Sequence, residues 1–280
     1  MEIIENLSLD QERALYGKDN ILVRNVSFSG PADGESAVKE CRNVQIENCY
    51  CNLRYPFWHV DGLKIVDSEM TENCRASLWY TKNAVIENTL MHGIKALREC
   101  SNIEIENCDI ISPEFGWSVS DIRMANSKAQ SEYFMMRSKN ISFSKVKFKG
   151  KYSFQYIENA VFTDCDFDTK DAFWHGKNIL VKDSLVKGEY LAWYSENLTL
   201  ENCTITGTQP FCYCKNLRLI NCKMIDTDLC FEKSTVQAEI TTPVISIKNP
   251  YDGCIKVRSV EEIIRDDDKS TGEIIITEKA

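Results

Sequence analysis

Glu87 and Glu106 stand one repeat apart at the same position of a recurring segment. If the chain between them closes one turn of a parallel coil, their carboxylates lie about 5 Å apart on neighbouring strands. That is the separation of the carboxyl pair in a retaining glycosidase. Glu104, on the same strand as Glu106, would stack beside Arg123, the pattern of a surface ion-pair ladder. Both readings stay open. Asp164, Asp166 and Asp168 are a weaker acid group, because Asp164 shares its column with Asp183 and Asn202, where a turn role explains it. The histidines offer little for acid–base work. His59 and His175 share a column but lie six coils apart, roughly 29 Å, too far to act as a pair. His92 follows Met91 in an expected loop, and no Ser or Cys has nucleophile–base spacing to a histidine. Without a Cys-x-x-Cys pair, a zinc site is weakly supported, and neither metal nor cofactor is expected.

The aromatic residues are better ordered. All five tryptophans, Trp58, Trp79, Trp117, Trp174 and Trp193, fall four residues before the marker position of the repeat. Lys39, Arg98, Met136, Gln155, Cys212 and Phe231 share that column, a mixture that a core would not tolerate. It also follows an apolar column, so alternation turns it outward. The next column carries His59, Tyr80, Glu99, Ser118, Arg137, Tyr156, His175, Tyr194 and Tyr213. A ladder of exposed aromatics suits a sugar, whose C–H faces pack on indoles while polar edges bind hydroxyls. It equally suits a protein surface or a second copy of the chain. The candidate ligand-binding residues are therefore Trp58, His59, Trp79, Tyr80, Trp117, Tyr156, Trp174, His175, Trp193, Tyr194 and Tyr213. The leading expectation is a non-catalytic scaffold that binds a partner or itself, homo-oligomers included. Carbohydrate binding or processing, lyase- or glycosidase-like, is the alternative, with an oligosaccharide as partner.

The elements that position these residues follow from the repeat. Asn83, Asn102, Asn140, Asn159, Asn178, Asn197 and Asn216 each open a segment reading Asn-apolar-x-apolar-x-Asn/Asp-Cys/Ser/Thr. With Asn20, Asn43, Gly62, Asp121 and Thr235 there are twelve rungs, and nine of the eleven intervals are 19 residues. The positions one and three after the marker are wholly apolar, from Ile21 and Val23 to Val236 and Ala238, while those between are mostly polar. Period two means a half-buried strand. A second strand opens six after the marker with small residues, among them Cys49, Ser68, Thr89 and Cys108. A third precedes the marker, with Phe57, Leu78, Phe154 and Phe173 five residues before it. Three short strands per coil describe an all-β, single-stranded, right-handed parallel β-helix, with Asn at corners that need the left-handed conformation. Its expected length is about 55 Å. One domain over residues 1–280 is expected: an N-terminal cap over 1–19, with a Ser8–Gln11 capping-box pattern, coils over 20–242, and a C-terminal cap over 243–280 with a loop at 266–272.

A net charge of −9 and a pI near 5.1 argue against nucleic acid or an anionic membrane as partner. No apolar run approaches membrane-spanning length, and the start, Met-Glu-Ile-Ile-Glu, lacks the character of a secretory signal. Of the thirteen cysteines, Cys49, Cys108, Cys165, Cys203 and Cys222 occupy the small inward column and Cys41, Cys100 and Cys214 another, alternating with Ser, Thr and Val as small buried hydrophobes do. Structural, reduced thiols in a cytoplasm are expected.

With these coils in place, the chain resembles the pectin lyase-like superfamily, and within it a bacterial family of unknown function. The features that carry the likeness are Glu12-Arg13-Ala14-Leu15-Tyr16, Tyr55-Pro56-Phe57-Trp58, Ala172-Phe173-Trp174 and Ser234-Thr235-Val236-Gln237-Ala238-Glu239-Ile240. The resemblance spans nearly the whole chain and implies the fold, with no activity to transfer. The superfamily's polysaccharide-active members carry Gly-His-Gly, Asn-Thr-Asp and Arg-Ile-Lys motifs of the polygalacturonase type, or an Asp-rich calcium site paired with the lyase arginine, none of which is found in this sequence. Membership alone therefore argues weakly for an enzyme.

Overall fold

The computed structural model describes residues 1–278 and is all-β, with no α-helix among them. Two compact units, Met1–Asn140 and Ile141–Ala280, each wind as a parallel β-coil. In the first, strands Glu2–Glu5, Asp19–Arg24, Arg42–Glu47, Asp61–Val66, Lys82–Glu87, Ser101–Glu106 and Ser120–Ala125 pair in sequence, each parallel to the next. They build the first face. In the second unit the corresponding face is built by Glu158–Thr163, Lys177–Lys182, Glu196–Glu201, Leu217–Ile225, Thr235–Ile240, Asp252–Val257 and Glu273–Ile276. Shorter strands such as Leu90–Met91 and Asp109–Ile111, or Asp166–Asp168 and Leu185–Lys187, form a second face. The third is mostly turn, with brief pairings such as Leu78–Trp79 against Leu97–Arg98.

The alternation that marked the strands is the alternation of burial. Lys177–Lys182 reads exposed, exposed, buried, half-buried, buried, half-buried, with Ile179 and Val181 inside. The second unit's core adds a cluster in which Phe154 packs on Phe162, Phe167 and Phe173 at 4.8, 5.1 and 5.2 Å between centroids. Burying such side chains contributes ~2–3 kcal/mol each.

The corners are held by amides. Asn178 Nδ2 donates to Asn159 Oδ1, Asn197 to Asn178 and Asn216 to Asn197, at 3.0, 2.9 and 2.8 Å. In the first unit Asn102 donates to Asn83 at 2.8 Å. All six residues sit at φ near +55°, the left-handed region that Asn enters cheaply. A second ladder five residues on includes Asn202 to Asp183 and Asn221 to Asn202.

The described residues wind about fourteen turns, and the coil runs past the twelve markers at both ends. Glu2–Glu5 pairs with Asp19–Arg24 although Met1 stands where the marker would be. At the other end Thr235 pairs with Asp252, so the interval shrinks to seventeen and the repeat fades while the sheet continues. Residues 11–17, where the capping-box pattern pointed to a cap, form turns, and Ser8 Oγ donates to the Ser29 carbonyl. Residues 265–272 form the expected loop.

Candidate functional site

The tryptophans line the corner between third and first faces, half-buried rather than open. Their indoles lie flat on one another: Trp58 on Trp79 at 5.4 Å and 3°, Trp174 on Trp193 at 5.4 Å and 2°. Where the column changes residue, the stack continues by other means. Arg98 lies between two indoles, 5.1 Å from the Trp79 centroid and 5.2 Å from that of Trp117, and Lys39 covers Trp58 at 5.8 Å. Cations over indole faces are favourable, so these residues extend the column as stack members.

The indole N–H groups are used inside the fold. Trp58 Nε1 donates to the Ala76 carbonyl, Trp79 to Lys95, Trp174 to Tyr190 and Trp193 to Gln209, at 2.6–2.8 Å. Gln155 takes the same role, its Nε2 donating to the Asp171 carbonyl at 3.0 Å. These acceptors stand seven residues before the next marker in a left-handed turn, φ +50° at Ala76 and +56° at Tyr190. Sequence reading missed that column, whose residue types vary because only its carbonyl matters. Trp117 is the exception: its N–H is buried without a partner. The equivalent acceptor position, Tyr133, lies in strand Tyr133–Phe134 instead of a left-handed turn.

The next column forms the outermost aromatic layer. In the second unit Tyr156, His175, Tyr194 and Tyr213 stack face to face at 4.9, 5.0 and 4.7 Å. In the first, His59 stacks on Tyr80 at 4.7 Å. Tyr156 and Tyr194 are close to half exposed, 48% and 47%, and Tyr213 is more sheltered. Burial pushes the Tyr213 phenol up, with the Glu232 carboxylate adding to it. Every member of this rib sits at φ between +54° and +61°. Glu99 and Ser118 are left-handed there too, at φ +51° and +54°, so the backbone demands the conformation whatever the side chain.

Beside the rib runs a charged row that no motif singled out. Glu158, Lys177, Glu196 and Lys215 immediately precede the Asn markers and are neighbours in register, Glu158 with Lys177, Lys177 with Glu196 and Glu196 with Lys215. The column between row and rib, Ile157, Gly176, Ser195 and Cys214, is buried.

The acid pair lies where the repeat placed it: Glu87 and Glu106 are register partners. Each already has a structural partner. Glu87 is 3.2 Å from Lys64 Nζ, and Glu106 accepts from Asn126 Nδ2 at 3.3 Å. Glu104 pairs with Arg123 at 3.3 Å, as the ion-ladder reading expects. His92 Nε2 lies 3.7 Å from Asp109 and makes no hydrogen bond. Among the described residues no group of three or more His, Cys, Asp or Glu could hold a metal ion. No helix there is long and apolar enough to cross a membrane. The first unit also carries a groove of about 410 Å³ between its two lengthened coils, lined by Asp33, Asn52, Arg54, Glu72, Asn73 and Arg75 among others.

A family model described as a protein of unknown function (DUF3737) matches residues 2–277. Among solved structures, the mannuronan C-5 epimerase A-module of Azotobacter vinelandii is 10% identical, covering 96% of this chain and 87% of its own, with a TM-score of 0.33. The lacto-N-biosidase of Eubacterium ramulus is 7% identical over 99% of this chain and 67% of its own, TM-score 0.38. A surface adhesin of Streptococcus pneumoniae is 8% identical over 90% and 82%, TM-score 0.37. Likenesses at that level carry no argument about activity. Comparison with the curated proteins returns no match.

Proposed function

Because this chain belongs to the DUF3737 family, whose description assigns no activity, we propose its function from its own geometry: a non-catalytic β-helix scaffold whose Tyr–His rib binds a protein partner. One observation carries the reading. The rib corner requires the left-handed conformation, and in the second unit it is filled with Tyr156, His175, Tyr194 and Tyr213 rather than with Asn or Gly. A side chain there costs about 1–2 kcal/mol per residue. Ring stacking returns roughly 0.5–1.5 kcal/mol per pair, so the rib gains little for the fold. Exposed tyrosines held in one plane-parallel array are instead a preorganised contact surface, with large area and few rotors to order on binding.

The indoles support the same reading. Trp58 and Trp79 are covered by each other and by Lys39 and Arg98, Trp174 and Trp193 lie on one another, and the N–H groups of these four are taken by backbone carbonyls. The carbohydrate alternative draws on a separate feature, the polar groove beside Asn52 and Asn73, whose amides and charged ends suit hydroxyl groups. The thirteen thiols, none in a disulfide, support a reducing, cytoplasmic setting.

Affinity electrophoresis through gels containing soluble polysaccharides tests the proposal. The wild type is expected to migrate as in a plain gel and to release no sugar products. Retardation relieved by Tyr194→Ala would overturn the protein-partner reading. Product release lost in Glu87→Gln or Glu106→Gln would replace it with glycoside processing.

A further inference from the structure

The rib and its charged row together specify a partner. Along the second unit the row reads Glu158, Lys177, Glu196, Lys215, one residue per coil. None of the four makes an ion pair among the described residues, although Lys182 and Glu201, on the same strands, are 3.1 Å apart. An alternating row has a property that a uniform one lacks. Reversed, it reads Lys, Glu, Lys, Glu, so a two-fold axis perpendicular to the coil and midway along the strip sets every Glu opposite a Lys. The same operation lays the aromatic rib on itself, Tyr156 against Tyr213 and His175 against Tyr194 of the other copy. We propose that this corner docks a second copy of the chain, antiparallel, with rib on rib and charged row on charged row. The inference rests on the reading of the rib as a binding face and names its occupant.

Physical chemistry favours this arrangement over a parallel one. An isologous contact needs a self-complementary patch, and like charges placed opposite one another select against the wrong orientation. Tyrosine-rich ribs flanked by charge match the anatomy of such contacts, with an aromatic centre and a polar margin. The strip covers four coils, about 15 Å along the axis, less than a standard interface of roughly 800 Å² per partner requires. The dimer is therefore weak, concentration-dependent and sensitive to salt.

Sedimentation equilibrium of the full chain from about 1 μM to a few hundred μM tests it, using charge reversals. Lys177→Glu with Lys215→Glu makes an all-acidic row, and Glu158→Lys with Glu196→Lys an all-basic one. Each double variant, shown by circular dichroism to melt like the wild type, is expected to self-associate at least about tenfold more weakly. An equimolar mixture of the two is expected to recover wild-type association or better, and Tyr194→Ala, compared well below its melt, to weaken it. Double variants that associate like the wild type, or a mixture that stays monomeric, would overturn the proposal. So would a wild type monomeric throughout; the rib reading itself falls only with polysaccharide retardation that depends on Tyr194.

Discussion

Cys49, Ser68 and Thr89 hold one position in three consecutive coils, and each donates to the carbonyl two residues before it, at 3.3, 2.8 and 2.8 Å. A thiol is the weakest of these donors, yet it fills the inward space best, which is why the column tolerates all three. Sequence alone made the cysteines legible as small buried groups because the alternation with Ser and Thr is periodic. Twelve of the thirteen are buried, and only Cys254 is half-buried. In native protein at mild pH a thiol reagent is expected to label Cys254 quickly and the rest only on unfolding; rapid labelling of several would contradict the packing. Burial also pushes Cys74, Cys100 and Cys230 up to about 12 from 9.0. Their folded state holds its protons where the unfolded chain releases them. Stability from these thiols is thus full below pH 9.0 and lost as pH rises towards about 12, and urea midpoints should fall across that window. Asp171 was invisible to motif reading. It is 7% exposed, and burial raises its carboxyl above the usual range. A raised acid favours the fold at low pH and opposes it once ionised, so Asp171→Asn should raise Tm at neutral pH, with the gain vanishing in acid. Its backbone carbonyl, which accepts from Gln155, is untouched by that change.

At the scale of the element, the corner column of the first unit is a mixed stack of Lys39, Trp58, Trp79, Arg98 and Trp117, and that of the second pairs Trp174 with Trp193, rather than a set of separate platforms. The sequence located every indole but read the column as turned outward, whereas the indoles are half-buried. Lys39 and Arg98 in the column imply exposure when taken as isolated charges; over an indole, each is a stacking group with a wet end. The variable acceptor column stayed hidden because a carbonyl leaves no trace in residue type. Two losses measure the stack. Trp174→Ala removes the contact with Trp193 and the bond to the Tyr190 carbonyl, and is expected to cost about 2–4 kcal/mol for a half-buried indole. Arg98→Ala removes contacts with Trp79 and Trp117, for about 1–2 kcal/mol. Chemical denaturation reads both, and an Arg98→Ala variant as stable as the wild type would mean that its side chain is merely solvated.

For the molecule as a whole, coil architecture was legible because each coil repeats the same three constraints: an inward alternation, an Asn corner and a small-residue column. What escaped was what breaks the period. The first and last coils carry no marker, and the interval of seventeen between Thr235 and Asp252 ends the pattern before it ends the sheet. The charged row escaped for a different reason: alternation between coils shows only when residues nineteen apart are set side by side in register. Rib and row both lie in the second unit, and the function proposed for this corner is to meet protein rather than sugar. The three histidines make that claim directly measurable, since the His175 ring, between Tyr156 and Tyr194, gives NMR signals assignable by a His175→Gln variant. Those signals are predicted to shift and broaden as protein concentration rises and to stay fixed when soluble oligosaccharides are added at constant concentration. Signals indifferent to protein concentration that move on adding a sugar would mean that the rib is a glycan face.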